Sequence, residues 1–294
     1  MPRFPRLLGF AVIAVLVVSG CATETALPTG PEMTVITHNI GDAGEGYRTV
    51  PIDDLLRVYD RFRASDRWPD VFVLQEVRNE GRMVRLSREL TEASGREYDY
   101  AYTRSFGIGI LAAGRVENPR TFVAPASRLD YGAFGATVTG EFGSVDIVGV
   151  HLDPVLKGRD DRGFTAAWGL IVQLVAEVTM PTVRSRMARE IHDWIGERGS
   201  RPVVVAGDFN TVPQSSASRF MRRHYRDSLR GTDDYATGTY WKIHGPQPRV
   251  DYVYHTDGLV RTASDVIRVQ AGDHYPVVAS FAVPAAWTAL AGSR

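Results

Sequence analysis

The chain has 294 residues, 44% of them apolar and 23% charged, with 34 basic side chains balancing 34 acidic ones. That composition suits a large globular core in one or two domains. Zero net charge excludes a chain that holds polyanions through overall charge, leaving only a local basic patch. A single cysteine, Cys21, excludes any intramolecular disulfide.

The first residues, "MPRFPRLLGFAVIAVLVVSGCATE", place Arg3 and Arg6 before an apolar run from Leu7 to Val18. A basic head, a short apolar core and small residues read as a secretory signal, and the run falls short of the ~20 residues of a membrane span. "VSGC" resembles the bacterial lipobox, in which the cysteine becomes the lipid-bearing N-terminus. The expected organisation is therefore a lipoprotein signal over 1–20 and a lipidated Cys21 with a small, polar tether over 21–31. One domain follows over 32–284, then a tail over 285–294. The resemblance implies a bacterial cell-envelope protein held to the membrane through Cys21. No obligate protein partner is implied, and a monomer is expected.

From Met33 onward short β-rich runs alternate with helical stretches. In chain order the strands are "MTVITHNI", "DVFVLQEV", "YDYAYT", "GIGILAA", "TFVAPA", "GAFGATVTG", "SVDIVGVHL", "RPVVVAGDF", "RVDYVYH", "ASDVIRVQ" and "PVVASFAV". Helices are expected over Ile52–Ala64, Arg82–Ala93, Phe164–Val178, Val183–Gly196 and Ala217–His224. In the first, Leu55, Leu56, Val58, Tyr59 and Phe62 recur at helical spacing, and Asp53 and Asp54 suit its positive N-terminal end. Many strands with few helices predict an α/β (α+β) chain in which two packed sheets carry helices outside.

Strand after strand then ends on a polar group that its apolar run does not require. "MTVITHNI" reaches Asn39, "DVFVLQEV" carries Glu76, and "VDIVGVHL" ends near His151. "VVVAGDFN" brings Asp208 and Asn210, "RVDYVYH" brings Asp251, and "GDHYPVV" brings Asp273 and His274. Any one of these is explained by a capping or turn-forming role. Together, at strand ends, they describe a hard-cation site with oxygen ligands and acid-base helpers, because a buried carboxylate is costly unless paired, hydrogen-bonded or bound to metal. No His-x-x-x-His spacing points to zinc.

In order and spacing these segments resemble the endonuclease/exonuclease/phosphatase superfamily, from about Val35 to Phe281. "THNI" is similar to its first motif, with His38 where tryptophan is usual; "LQEV", "GVHLDP", "GDFN", "RVDYVYH" and "GDHYPV" follow. The resemblance implies a four-layer α-β-β-α, DNase I-like sandwich that hydrolyses phosphoesters with Mg²⁺ or Mn²⁺. Glu76, Asn39 and Asp273 would hold the metal. His151, Asp208, Asn210, Asp251 and His274 would be catalytic: Asp208 toward water, Asn210 and His151 toward phosphate, Asp251 holding His274. His38 is read as a core or supporting histidine, facing away from Asn39 by strand alternation. His192, His224, His244 and His255 match no motif and are expected at the surface.

Residues 156–180 look like an insertion between "HLDP" and the next helix. Its apolar stretch Phe164–Val178, with Gln173 and Glu177 forming one polar stripe, is either a helix packed on the body or an interfacial helix beside the site. Tyr240 and Trp241 either stack on a substrate ring or pack in the core. The first expectation is a nuclease-like phosphodiesterase, and nucleic acid and lipid headgroup both remain open as the phosphoester. The alternatives are sphingomyelinase/phospholipase C-like or inositol-phosphate phosphatase activity and, in another class, a catalytically silent binding lipoprotein.

Overall fold

The computed structural model describes residues 30–41, 50–65, 67–154, 175–242 and 247–284. The signal and Cys21, most of the tether, residues 156–174 of the expected insertion, His244 and the tail lie outside the described residues.

Among the described residues, twelve strands form two six-stranded sheets. The first sheet contains β1 (Glu32–Asn39), β2 (Val71–Gln75), β3 (Asp99–Thr103), β4 (Ile108–Ala112), β11 (Val260–Val266) and β12 (Val277–Ala282), ordered β11-β12-β1-β2-β4-β3. The second contains β5 (Arg115–Val123), β6 (Gly132–Gly140), β7 (Gly143–His151), β8 (Val203–Asp208), β9 (Arg226–Asp227) and β10 (Asp251–His255), ordered β5-β6-β7-β8-β10-β9. Each sheet is antiparallel except for one central pair, β1 beside β2 and β7 beside β8. A parallel pair needs a crossover long enough for a helix. The chain meets that need with α1 (Ile52–Ser65) between β1 and β2, and with α3 (Val183–Gly196) between β7 and β8.

The sheets face each other across a core to which Val35, Val73, Ile110, Val277 and Ala279 contribute from one side, and Phe134, Ile147, Val204, Ala206 and Val253 from the other. Gly149 lies where the sheets approach closely, since a Cβ there would stand 2.6 Å from the Ile108 side chain. α1 and α2 (Glu80–Ser94) cover the outer face of the first sheet through Leu55, Tyr59, Phe62, Met83 and Leu86. α3 and α4 (Ser216–His224) cover the second through Met187, Ile191, Trp194 and Met221. Burying each large apolar side chain is worth about 1.5–3 kcal/mol. The result is the expected four-layer α-β-β-α sandwich. Strands β2, β4, β8 and β10 are buried throughout, which is why they read as continuous apolar runs.

Differences from expectation fall at the edges. β5 begins at Arg115, well before "TFVAPA", and is exposed along most of its length. Its register shifts between Glu117 and Arg120, around Pro119, a residue that sheets tolerate at edges and bulges. β11 lies earlier than "ASDVIRVQ", held by its ladder to β12 rather than by burial. The two-residue β9 had no sequence signal. Of the expected helix Phe164–Val178 only its end is described, and residues 175–179 are helical. Glu177, expected in a polar stripe, is 3% exposed and pairs inside the protein with the buried Arg184. His255 is likewise buried rather than on the surface, packed on Phe281.

Candidate active site

The two parallel pairs decide where polar side chains meet. Paired parallel strands bring their C-terminal ends to the same edge of a sheet, where loops open and ligands bind in α/β folds. Asn39 lies beside Gln75, the residue before Glu76; His151 lies beside Asp208. The antiparallel neighbours start at that same edge, so Asp251 is level with Asp208, and Asp273 and His274 immediately precede β12.

Asn39 ties the sheets together. Its Nδ2 donates to Glu76 Oε1 at 3.0 Å and to Asp208 Oδ2 at 3.1 Å, while its Oδ1 accepts the Gly41 amide. Around the same Asp208 oxygen stand His151 Nε2 and His274 Nε2, each at 3.8 Å. Those gaps exceed hydrogen-bond length, so neither histidine bonds this oxygen directly. His274 Nδ1 meets Asp251 Oδ2 at 2.8 Å, which orients the ring, and its Nε2 is 4.0 Å from Asp273 Oδ1. Asn210 donates its backbone N–H to Asp208 Oδ1 and one side-chain N–H to the Leu152 carbonyl. Phe209, between them, turns into the packing against Tyr252 and Tyr254. Glu76 and Asn210 both adopt left-handed backbone angles, φ 56° and 47°. Such conformations are strained for a non-glycine residue and concentrate at functional sites.

The electrostatics separate the titratable groups. Burial lifts the Asp208 carboxyl to about 6, against the pull of the His274 charge. Burial lowers His151 and favours its neutral form. Burial would lower His274 as well, but the Asp251 and Asp208 carboxylates outweigh it and raise the ring to about 10. Glu76 is raised first by burial, and the neighbouring Asp273 and Asp251 charges add to the shift.

Every candidate site residue predicted among the described residues converges here; Cys21 lies outside them. His38 is fully buried on the opposite side of β1, its Nδ1 3.0 Å from the Tyr59 hydroxyl. Two cavities flank the cluster. One, about 400 Å³, is lined by Gly41, Val50, Pro51, Trp241, Lys242 and Asp273 among others. The other, about 360 Å³, is lined by Glu76, Arg78, Tyr102, Arg104, Tyr131 and His151 among others, and again by Asp273. Tyr131 stands edge-on to His151 with ring centroids 4.4 Å apart. Sequence reading did not single out Tyr131, Tyr102 or the two arginines, because loop and strand-end residues carry no periodic signal that separates a groove wall from ordinary surface.

A family model for the endonuclease/exonuclease/phosphatase family matches residues 36–274. The chain belongs to the endonuclease/exonuclease/phosphatase family. Among solved structures it resembles an endonuclease/exonuclease/phosphatase from Beutenbergia cavernae DSM 12333, at 20% identity and TM-score 0.58, covering 86% of this chain and 72% of that one. It also resembles D. rerio TDP2 complexed with single strand DNA product, at 16% identity and TM-score 0.60, covering 85% and 98%. The human Nocturnin catalytic domain with bound sulfate anion is similar at 14% identity and TM-score 0.58, covering 87% and 95%. No curated protein matches the sequence significantly. At these identities the likeness is one of fold.

Members of the family are phosphoester hydrolases that generally use divalent cations, and the donors present in this member fit such an ion. Asp208, Asp251 and His274 offer ligand atoms within 4.8 Å of one another. The 2.8 Å contact of Asp251 with His274 marks an ion pair inside that group. On its other side Glu76 is desolvated beside the Asp273 charge, an arrangement that a hard cation with oxygen ligands relieves.

Proposed function

We propose that this protein is a phosphodiesterase, nuclease-like in its substrate and dependent on Mg²⁺ or Mn²⁺. The observation that carries the reading is the pair of cavities on either side of the cluster, with Asp273 in the wall of both. A diester has two substituents, and each has a place. Arg78, Arg104, Tyr102 and Tyr131 in the second cavity suit a neighbouring phosphate and a stacked ring, which favours a nucleic-acid strand over a small headgroup.

Glu76, Asn39 and Asp273 would hold the cation, which when bound neutralises charge developing on the phosphoryl and leaving oxygens. Asp208 orients water and takes its proton at Oδ2, a role suited to a carboxyl poised at about 6. His274, kept as imidazolium by Asp251, places its Nε2–H against a phosphate oxygen. Asn210 has a second side-chain N–H for the same purpose. His151, neutral, donates from Nε2 to the phosphate or the leaving oxygen. The N-terminal residues support a lipoprotein reading in which Cys21 anchors the enzyme in the bacterial envelope, facing outward from the cytoplasm.

The test is hydrolysis of bis-p-nitrophenyl phosphate, DNA, RNA, sphingomyelin, phosphatidylinositol and a phosphomonoester, with and without chelator. Diester cleavage should require Mg²⁺ or Mn²⁺ and fall by ~10²-fold or more in Asp208→Ala. Faster cleavage of the monoester, or activity indifferent to chelator, would refute it. No activity and no cation binding would instead indicate a binding lipoprotein.

A further inference from the structure

We propose that Glu177 is a positioning residue for the catalytic edge, acting through Arg184 and Thr211. The inference rests on the phosphodiesterase reading for its kinetic consequence and on geometry for its structural one. Glu177 Oε1 accepts from Arg184 Nε at 3.1 Å and from its Nη2 at 2.6 Å, while Oε2 accepts from the Thr211 hydroxyl at 3.0 Å. Arg184 Nη1 donates to the Asp153 carbonyl at 2.9 Å. The pair is buried, with side-chain exposures of 4% for Glu177 and 11% for Arg184.

Both ends of this network lie next to catalytic groups. Asp153 follows His151 by two residues; its carboxylate accepts from Ser127 Oγ and the Arg128 amide, tying in the loop that leads to Tyr131. Thr211 directly follows Asn210, and its carbonyl accepts from the Tyr252 hydroxyl at 2.8 Å. Between the two turns run the bonds from Leu152 N to the Asp208 carbonyl and from Asn210 Nδ2 to the Leu152 carbonyl. Glu177 and Arg184 therefore brace from behind the two turns whose front carries His151, Asp208 and Asn210. Glu177 belongs to the segment between β7 and α3, so this stretch of the crossover contributes to the site without lining it.

A buried ion pair is weak evidence for stability alone, since apolar replacements of similar size are often neutral. That property separates the two roles. In Glu177→Met/Arg184→Met the melting temperature should fall only modestly, through the partners lost by the Asp153 carbonyl and the Thr211 hydroxyl, whereas kcat on bis-p-nitrophenyl phosphate falls ~10-fold or more with KM little changed, as small misplacements of catalytic groups do. Thr211→Val takes that donor from the buried Glu177 Oε2 and should lower kcat in the same direction, with a modest fall in melting temperature. In both, amide hydrogen exchange should quicken over 150–154 and 208–212. A stable double variant with undiminished kcat and unchanged exchange would overturn the proposal. If the double variant does not fold, unchanged kcat and exchange in Thr211→Val overturn it. If the unsubstituted protein cleaves no phosphoester, the phosphodiesterase reading falls, and the exchange measurement alone decides the positioning role.

Discussion

His38 illustrates how one strand position can serve the opposite side of the sheet from its neighbour. Asn39 points to the reacting edge, so His38 points to the outer layer, where it is enclosed with Tyr59 and held near the Asp251 and His274 charges. Burial is the leading cause that lowers its pKa from 6.5 to about 4. The unfolded chain therefore takes up a proton at this ring before the folded chain does. The neutral ring's contribution is fully present above pH 6.5 and is lost as pH falls from there toward 4, an effect of roughly 3 kcal/mol. Denaturant unfolding of the protein and of His38→Gln at pH 7 and pH 4 should show a smaller acid loss in the variant. Equal losses would mean that the ring is protonated in the fold. Burial of this histidine was legible from alternation, whereas His255 was misplaced and the pairing of Glu177 was not foreseen, because nothing local reveals Phe281 over the one or Arg184 against the other.

At the scale of elements, the close pairing of β7 with β8 sets the distance between His151 and Asp208. Gly207 makes that pairing possible: its φ is 153°, and a Cβ on it would lie 2.0 Å from the Val150 carbonyl oxygen. Gly207→Ala must push the strands apart at the residue pair just before His151 and Asp208. A loss of about 3 kcal/mol is expected, at the upper end for overpacking, together with a fall in kcat. Gly196→Ala at the end of α3 is the control, because nothing lies within 4 Å of its Cβ position; it should be neutral or stabilising by up to about 1 kcal/mol. Thermal melts of the two variants check the contrast, and equal melting temperatures would dismiss it. Elements held by burial on both faces, such as β8, were readable as apolar runs. The bounds of β5 and β11 were not, since edge strands are held by their neighbours' hydrogen bonds and keep polar side chains.

At the scale of the molecule, the site is a seam. Asn39, Glu76, Asp273 and His274 come from the first sheet or the loops at its ends, and His151, Asp208 and Asp251 from the second, so a divalent cation held there stabilises the joined form. Raising Mg²⁺ or Mn²⁺ to about 100 times its Kd should add about 2.7 kcal/mol to stability, read as a rise in melting temperature. Glu76→Gln should blunt the rise, and a melting temperature blind to cation would count against binding at the seam. By itself the sequence determined the layers and the candidate site residues: apolar periodicity is local, and a carboxylate or imidazole closing an apolar run is conspicuous wherever the chain later goes. The pairing of Asp251 with His274 was implied by the family resemblance; only the tertiary structure decided how the other groups meet, that burial pushes Asp208 up, and that Glu177 braces the edge from behind. Those depend on contacts between residues far apart in the chain, and on the loss of water around them, neither of which leaves a trace in local sequence.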